Sequence, residues 1–424
     1  MKVFKFGGAS VKNAASVENV KHIISLFSEE ELLIVVSAMD KTTNAMEEIV
    51  QHYFEGKTKE SISAMEERKT FHFSIMQELF SSQKHPIFDE ISAIFNDLRE
   101  KLEGTPSANF DFEYDQIVSL GEVLSTKIIA AYLNDHFGDV SWQDARELVR
   151  TNNNYRYADI DWKKTQELIT TMWTNKGKNS KLITQGFLGH TSEGLTTTLG
   201  REGSDFTAGI FAYCLDSESV TIWKDVPGML NADPKWFDNT VKLDKISFKE
   251  AIELSYYGAS VIHPKTIKPL QNKNIPLYVK SFLEPEKPGT VIQRSTENDD
   301  IIPSFIFKMN QVLLSITPKD FSFVVEENLS DIFKALAEVG ARINVMQNSA
   351  VSFSVCLDIS DYQLAQLNEK LSDSFIIKYN KGLELVTIRH YDQVTIDRVT
   401  INKDILMEQK TRQTVRIVMK NIAY

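Results

Sequence analysis

The sequence predicts an α/β protein, an open and mainly parallel sheet between helical layers, followed by ferredoxin-like α+β modules. Three observations carry that prediction. Short apolar runs, among them Lys2-Val-Phe-Lys-Phe6 and Leu32-Leu-Ile-Val-Val36, alternate with helically spaced stretches over the first two thirds of the chain. The second of these runs is apolar throughout, the mark of a strand buried on both faces of a parallel sheet. Past the turn-rich Glu284-Pro-Glu-Lys-Pro-Gly289 and the charged residues 293–300, the pattern changes to the alternation of half-buried antiparallel strands. The expected division is therefore 1–297, with a helical insertion at 58–103, and 301–424, holding one full α+β module and an abbreviated second.

The elements follow in order. Residues 2–6 form a strand broken by Gly7 and Gly8, and Ala14, Val17, Val20, Ile24 and Phe27 have helical spacing. A strand, a glycine turn and a helix N-terminus in that order hold anions, phosphate above all, and Lys5 adds a full charge; a plain tight turn with an exposed lysine is the rival reading. After residues 32–36 a helix is expected to start near Thr43-Asn44, both good N-caps. Residues 58–103 read as two helices broken at Pro86, and 113–137 as a further helix. Strands are expected at 181–184, 195–199, 220–223 and 275–279, with helices at 206–215, 247–257 and after Pro264. In such a sheet, sites gather at the carboxyl ends of the strands, where the Gly, Ser, Thr and Asp clusters fall. Beyond the boundary, strands are expected at 305–307, 312–316, 352–357, 383–389 and 414–420, with helices at 330–339 and 362–371.

Composition narrows the function. The 424 residues are 42% hydrophobic and 25% charged, with a net charge of −11, which argues against nucleic acid or an anionic membrane as partner. Cys214 and Cys356 each lie in an apolar run and read as buried free thiols of a reducing cytoplasm. No signal peptide is expected, nor any stretch long enough to cross a membrane.

Neither a GxxxxGK[ST] loop nor a protein-kinase glycine loop is present; the chemistry lies in separated clusters. Gly200-Arg-Glu-Gly-Ser-Asp205 joins a guanidinium fork suited to a carboxylate with an Asp that either holds Mg²⁺ or caps a helix. Glu122 follows a glycine within a helix, so it can take a substrate ammonium or lie on a solvated face. Asp225 reads as a loop cap or a nucleotide contact, and His263 as a packed loop residue.

In order and spacing these clusters resemble the aspartokinase family. Its KFGGTSV is matched by Lys5-Phe-Gly-Gly-Ala-Ser-Val11, and its VVSAxxxxTN by Val35-Val-Ser-Ala-Met-Asp-Lys-Thr-Thr-Asn44. Gly121-Glu-Val-Leu-Ser125 matches its helix motif, and Gly200-Arg-Glu-Gly-Ser-Asp205 its GRGGSD. Lys224-Asp-Val-Pro-Gly228 with Asp233-Pro-Lys235 matches its nucleotide loop, and Gly258-Ala-Ser-Val-Ile-His-Pro264 its GAKVxHP. The resemblance implies an amino-acid-kinase fold followed by ACT domains, and transfer of the ATP γ-phosphoryl group, with Mg²⁺, to the β-carboxylate of aspartate. It further implies Lys5 and Asp205 as catalytic residues and Ser37, Thr43, Glu122, Arg201 and Ser204 around aspartate. ATP would meet Lys5, Gly7, Gly8, Ser10, Trp223, Lys224, Asp225, Lys235 and Lys265, with Mg²⁺ on its phosphates and Asp205 nearby. An effector, lysine or threonine, would meet Asn344, Met346, Asn348 and Ser349 of an ACT region that pairs two copies of the chain.

Several positions depart from the family pattern. Ser260 stands where many relatives have a lysine, so that contact is missing or is supplied by Lys265. Leu230 replaces a tyrosine, Lys235 an arginine and Glu202 a glycine. Asn348-Ser-Ala350 stands for Thr-Ser-Glu, and Asn328 for a glycine. Phosphorylation of a carboxylate needs no general base, because the nucleophile is already ionised, and no plausible base accompanies these clusters. The expectation is a monofunctional, cytoplasmic aspartate kinase at the first step toward lysine, threonine and methionine. Two rivals are another amino-acid kinase of the same fold, such as glutamate 5-kinase, and a non-catalytic amino-acid sensor. The first lacks the Glu122 motif, and retention of Lys5, Arg201 and Asp205 argues against the second.

Overall fold

A computed structural model describes residues 1–175, 181–237, 239–259, 262–320 and 322–422. The chain packs as two compact units, Met1–Met229 with Lys242–Ile252 and Val261–Thr296, and Leu230–Val241 with Glu253–Ser260 and Glu297–Tyr424.

In the first unit the elements run β1 Lys2–Phe6, α1 Ala14–Ser25, β2 Leu32–Val36, α2 Thr42–Phe54, α3 Thr58–Leu79, α4 Ile87–Glu103, α5 Phe110–Val118 and α6 Leu120–Phe137. They continue with β3 Val140–Gln143, α7 Trp162–Asn175, β4 Lys181–Gln185, β5 Leu188–His190, β6 Thr196–Thr198, α8 Gly203–Leu215, β7 Ser219–Lys224, β8 Lys245–Ser247, α9 Phe248–Tyr257 (whose residues from Glu253 on belong to the second unit), α10 Pro264–Lys273, β9 Leu277–Ser281 and β10 Thr290–Gln293. Among the described residues, eight strands form one sheet in the order β3-β4-β2-β1-β7-β9-β10-β8. Pairing is parallel from β3 to β9, as the apolar runs imply, whereas β10 returns antiparallel to β9. The Pro/Gly-rich passage 284–289 is therefore the connection between β9 and β10.

The period-2 alternation of β1 sorts its side chains. Phe4 and Phe6 enter a core shared with α1, α2, α4, α6 and the insertion helix α3. Lys5 points to the opposite face, where α8 packs against β1. The insertion at 58–103 is thus two core-forming helices, with Pro86 as the N-cap of α4.

Some expectations are corrected. The N-cap of α2 is Lys41, and its side chain makes no capping bond; Thr42 and Thr43 already lie inside the helix. The helix expected at 113–137 is interrupted at Ser119. Thr196–Thr198 leaves the parallel sheet and pairs antiparallel with β5 instead. The segment Phe110–Phe137 does reach the length and hydropathy of a membrane span, but 78% of its most apolar window is buried within the protein. Its apolar surface packs in the core, which periodicity alone cannot distinguish from a span.

The second unit contains β11 Ser304–Pro318, α11 Glu326–Glu338, β12 Arg342–Asn348, β13 Phe353–Asp358, α12 Asp361–Leu371, β14 Phe375–Arg389, α13 Gln393–Thr400, β15 Lys403–Lys410 and β16 Thr414–Asn421. Its sheet, ordered β12-β13-β11-β14-β16-β15, is antiparallel throughout. The runs at 305–307 and 312–316 are one strand, bent by a bulge between Lys308 and Gln311. One end of β11 and β14 completes a βαββαβ module with α11 and α12. The other end joins α13, β15 and β16, a second ACT-like module with a single helix among the described residues. Segments from the middle of the chain pack onto this sheet: Phe237 meets Phe305 at 4.7 Å, and the Arg416 guanidinium lies 5.0 Å from the Tyr257 ring centroid.

Candidate active site

The carboxyl ends of β1, β2 and β7, the N-termini of α2 and α8, and α5 and α6 enclose a cavity of about 500 Å³. One wall of it is built from β1 and β7. Lys5 and Lys224 project from the same face, and both reach Asp205 in the first turn of α8. The Lys5 Nζ to Asp205 Oδ1 distance is 2.6 Å, and Lys224 Nζ lies 3.6 Å from Oδ2. Burial would push the Asp205 carboxyl up, but Lys5 and Lys224 outweigh it and hold the group below the usual carboxylate range. Gly7 lies directly against the Lys5 ammonium: a Cβ there would sit 3.4 Å from Nζ. At Gly8 an added Cβ would meet the Ala38 and Asp40 carbonyls at 2.8 and 2.9 Å, so only glycine lets the β1 turn close on the β2 turn.

Glu122 lines the same cavity. Gly121 faces the β2–α2 turn so closely that a Cβ would stand 3.2 Å from the Ala38 Cβ and 3.3 Å from the Thr42 Cγ2. That approach sets Glu122, 3% exposed, beneath the Ala38 N–H, which donates to Oε1 at 3.4 Å. Glu122 Oε2 has no hydrogen-bond partner. Burial pushes this carboxyl up to about 8, although the Ala38 N–H and Lys5 pull the other way. A buried, half-satisfied carboxylate facing a cavity suits a cationic ligand group. Ser125 anchors the turn further by donating from Oγ to the Ser37 carbonyl at 2.7 Å.

Ser37, Thr43, Arg201 and Ser204 line the same cavity as Lys5, Glu122, Asp205 and Lys224. Neither α2 nor α8 has a side-chain N-cap, and the first turns of both line the cavity through Thr43, Gly203, Ser204 and Asp205. Glu202, the family's glycine position, is left-handed at φ 56°, which explains why glycine is the usual occupant.

Residues 1–281 match the family described as the Amino acid kinase family. Lysine-sensitive aspartokinase 3 of Escherichia coli (strain K12) is 30% identical over 395 residues, 91% of this chain and 86% of that one. The chain belongs to the amino acid kinase family, among the aspartokinases. Aspartokinase 1, chloroplastic, of Arabidopsis thaliana is 30% identical over 403 residues, 91% of this chain and 70% of its own. The chain spans 42% of a bifunctional aspartokinase/homoserine dehydrogenase of the same plant. A structure of E. coli aspartokinase III in complex with lysine and aspartate superposes with a TM-score of 0.83 at 27% identity, covering 100% of this chain and 96% of that one. Another, of the same enzyme with aspartate and ADP, gives 0.81 at 28% identity, covering 99% and 96%.

Some residues expected from the aspartokinase resemblance lie elsewhere. The Trp223 side chain is 1% exposed and packs in the core, stacked on Phe6 with ring centroids 6.1 Å apart. Strand register explains this, because Trp223 pairs with Phe6 and so takes its face rather than that of Lys5. The Trp223 carbonyl does accept from Ser10 Oγ at 3.4 Å, which ties the glycine turn to β7. Asp225 is exposed beyond the strand end, outside the cavity lining. Lys235 belongs to the second unit, where its backbone N–H donates to Asp233 Oδ1 at 2.9 Å. Lys265 lines a different cavity from the one that holds Lys5; Ser260 itself lies outside the described residues. In the second unit, Asn344 is buried, donating to Gln311 Oε1 at 2.6 Å and accepting from Lys308 Nζ at 2.7 Å. Met346, Asn348 and Ser349 are exposed.

The cavity also contains Glu47, Tyr114, Arg156, Tyr157, Phe187 and Thr198, which sequence reading did not single out. Buried Asp115 positions two of them, accepting from the Arg156 N–H at 3.0 Å and from Thr198 Oγ1 at 2.7 Å. Arg156 is left-handed at φ 67°, with its guanidinium 4.4 Å from the Tyr114 ring centroid. Glu47, Tyr114 and Arg156 come from α2, α5 and the loop before α7, far apart in sequence and without a shared motif.

Proposed function

We propose that this chain is an aspartate kinase, moving the γ-phosphoryl group of ATP to the β-carboxylate of L-aspartate and releasing ADP and 4-phospho-L-aspartate. The observation that carries this reading is the placement of the unsatisfied Glu122 carboxylate in one cavity with Arg201 and the Lys5–Asp205–Lys224 group. Glu122 takes the substrate ammonium and Arg201 the α-carboxylate by its planar fork. Ser37, Thr43 and Ser204, with the open N-termini of α2 and α8, orient the β-carboxylate. That carboxylate is the nucleophile and is ionised at neutral pH, so no residue has to remove a proton. Lys5 lies where negative charge on the transferred group is neutralised, and Lys224 beside it, as alignment and charge neutralisation require in phosphoryl transfer.

No cluster of three or more His, Cys, Asp or Glu suited to a metal occurs among the described residues. The donor set fits Mg²⁺ held mainly by ATP phosphates, since Mg²⁺ commonly takes one or two protein carboxylates, and Asp205 is the carboxylate placed for it. Bound there, Mg²⁺ would supply charge neutralisation on the phosphates. The product places the enzyme at the entry to lysine, threonine and methionine synthesis. A cytoplasmic setting suits the buried free thiols of Cys214 and Cys356. The ACT-like unit is the place for a lysine or threonine effector and for pairing two copies through its exposed edge strands.

The test is kinetic. Glu122→Ala and Arg201→Ala should each raise the KM for aspartate by at least about tenfold, the loss expected for a charge-assisted contact, while the KM for ATP changes little. An unchanged aspartate KM in both variants contradicts the assignment.

A further inference from the structure

Lys265 lines a second cavity of about 440 Å³, which meets α8 at Phe206 and Tyr213, beside the face that carries Asp205. We propose that this cavity binds a small aromatic anion, a planar ring bearing a carboxylate or a phosphate group. Three helices build it. Trp162 comes from α7, Phe206 and Tyr213 from one side of α8, and Lys265, Lys268 and Asn272 from one face of α10, spaced by three and four residues. The Trp162 ring meets Tyr213 edge-on at 5.1 Å and Phe206 at 6.3 Å, and it stays 37% exposed at the cavity wall. The Lys273 ammonium already covers the Tyr213 ring at 4.4 Å, so the partly exposed Trp162 is the aromatic surface offered to a further planar group.

The rim supplies the charge. Neither the Lys265 nor the Lys268 ammonium has an ion pair or hydrogen bond among the described residues. The carboxylate in the lining, Asp159, accepts from Asn152 Nδ2 at 3.1 Å. Aromatic walls with two unpaired cations above them complement a ring that carries an anion, and a concave site with a few convergent polar groups is the usual form of a small-molecule pocket. The cavity adjoins the first without being part of it. Arg156 and Tyr157 line one, the next residues Ala158 to Ile160 line the other, and Phe206 directly follows Asp205.

The proposal is tested by titrating the full chain calorimetrically with indole-3-acetate, phenyl phosphate and neutral indole, with aspartate present to fill the first cavity. At least one of the two anions should bind with a dissociation constant of about 1 mM or tighter, and indole about tenfold more weakly. Which anion binds tells a carboxylate ligand from a phosphate one. Lys268→Glu, a change on an exposed helix face, should weaken that binding by at least about tenfold, and Trp162→Ala should do the same. Absence of binding by both anions, or binding unchanged in both variants, overturns the proposal.

Discussion

Glu122 is the residue whose environment makes the sharpest demand. Its carboxyl, raised to about 8 by burial, is largely neutral at pH 7 in the free protein and must ionise to take an ammonium. The KM for aspartate should therefore fall by up to about tenfold per unit as pH rises from 6 toward 8, then level off. Glu122→Gln should abolish the slope. Stability runs the other way. The folded value lies above the ordinary 4.5, so the native state binds the proton more tightly and Glu122 lowers stability as pH rises from about 5 through 8. Glu122→Gln should accordingly raise the melting temperature more at pH 9 than at pH 5, a comparison that thermal scans make directly. At the phosphoryl end, Lys5→Ala should abolish kcat and leave aspartate binding largely intact. Arg156 offers a contrasting case. Its left-handed backbone is strained by roughly 1 kcal/mol, and its pairing with exposed Asp111 at 3.2 Å adds little. Arg156→Gly should keep or raise the melting temperature while raising the aspartate KM, if the guanidinium serves the substrate.

At the scale of elements, the position of Glu122 depends on how closely α6 approaches the β2–α2 turn. Gly121→Val would put a branched side chain whose Cβ alone already stands 3.2 Å from the Ala38 Cβ, inside normal contact distance. Overpacking of that kind costs about 1–3 kcal/mol. The variant should both melt earlier and bind aspartate more weakly; a normal aspartate KM would show that the approach does not set the carboxylate. The glycine motifs make this part of the site legible from sequence, because Gly8 marks a backbone approach that excludes a Cβ and Gly121 a tight side-chain approach. The strands buried on both faces, β1, β2, β4 and β7, were legible for a similar reason, since a short apolar run bounded by turn residues fits a strand covered by helices on either side. No strand is legible in the sequence at β3, β5, β8, β10, β12 or β15, which are short or of mixed composition. Trp223 was misplaced because a motif names positions and not faces; only the register with Phe6 shows that its ring turns into the core. Arg156, Tyr114 and Glu47 carried no signal, because they are brought together by tertiary packing alone.

For the whole molecule, the two compact units divide the work expected of an aspartokinase. Every residue lining the cavity of Lys5 and Glu122 belongs to the first. The second offers an exposed edge at β12, with Met346 49% exposed, while Asn344 is committed to its buried network with Gln311 and Lys308. An effector that meets this strand therefore reaches Met346 and Asn348 before Asn344. Light scattering at micromolar concentration should give the mass of a dimer, and a monomer would argue against pairing through this unit. The reaction itself is tested by one assay. ADP release with Mg-ATP should be measured with aspartate, glutamate and N-acetylglutamate in turn. Release with aspartate, and little with the other two, is the predicted result; turnover with another acceptor in its place, or with none of the three, would contradict it.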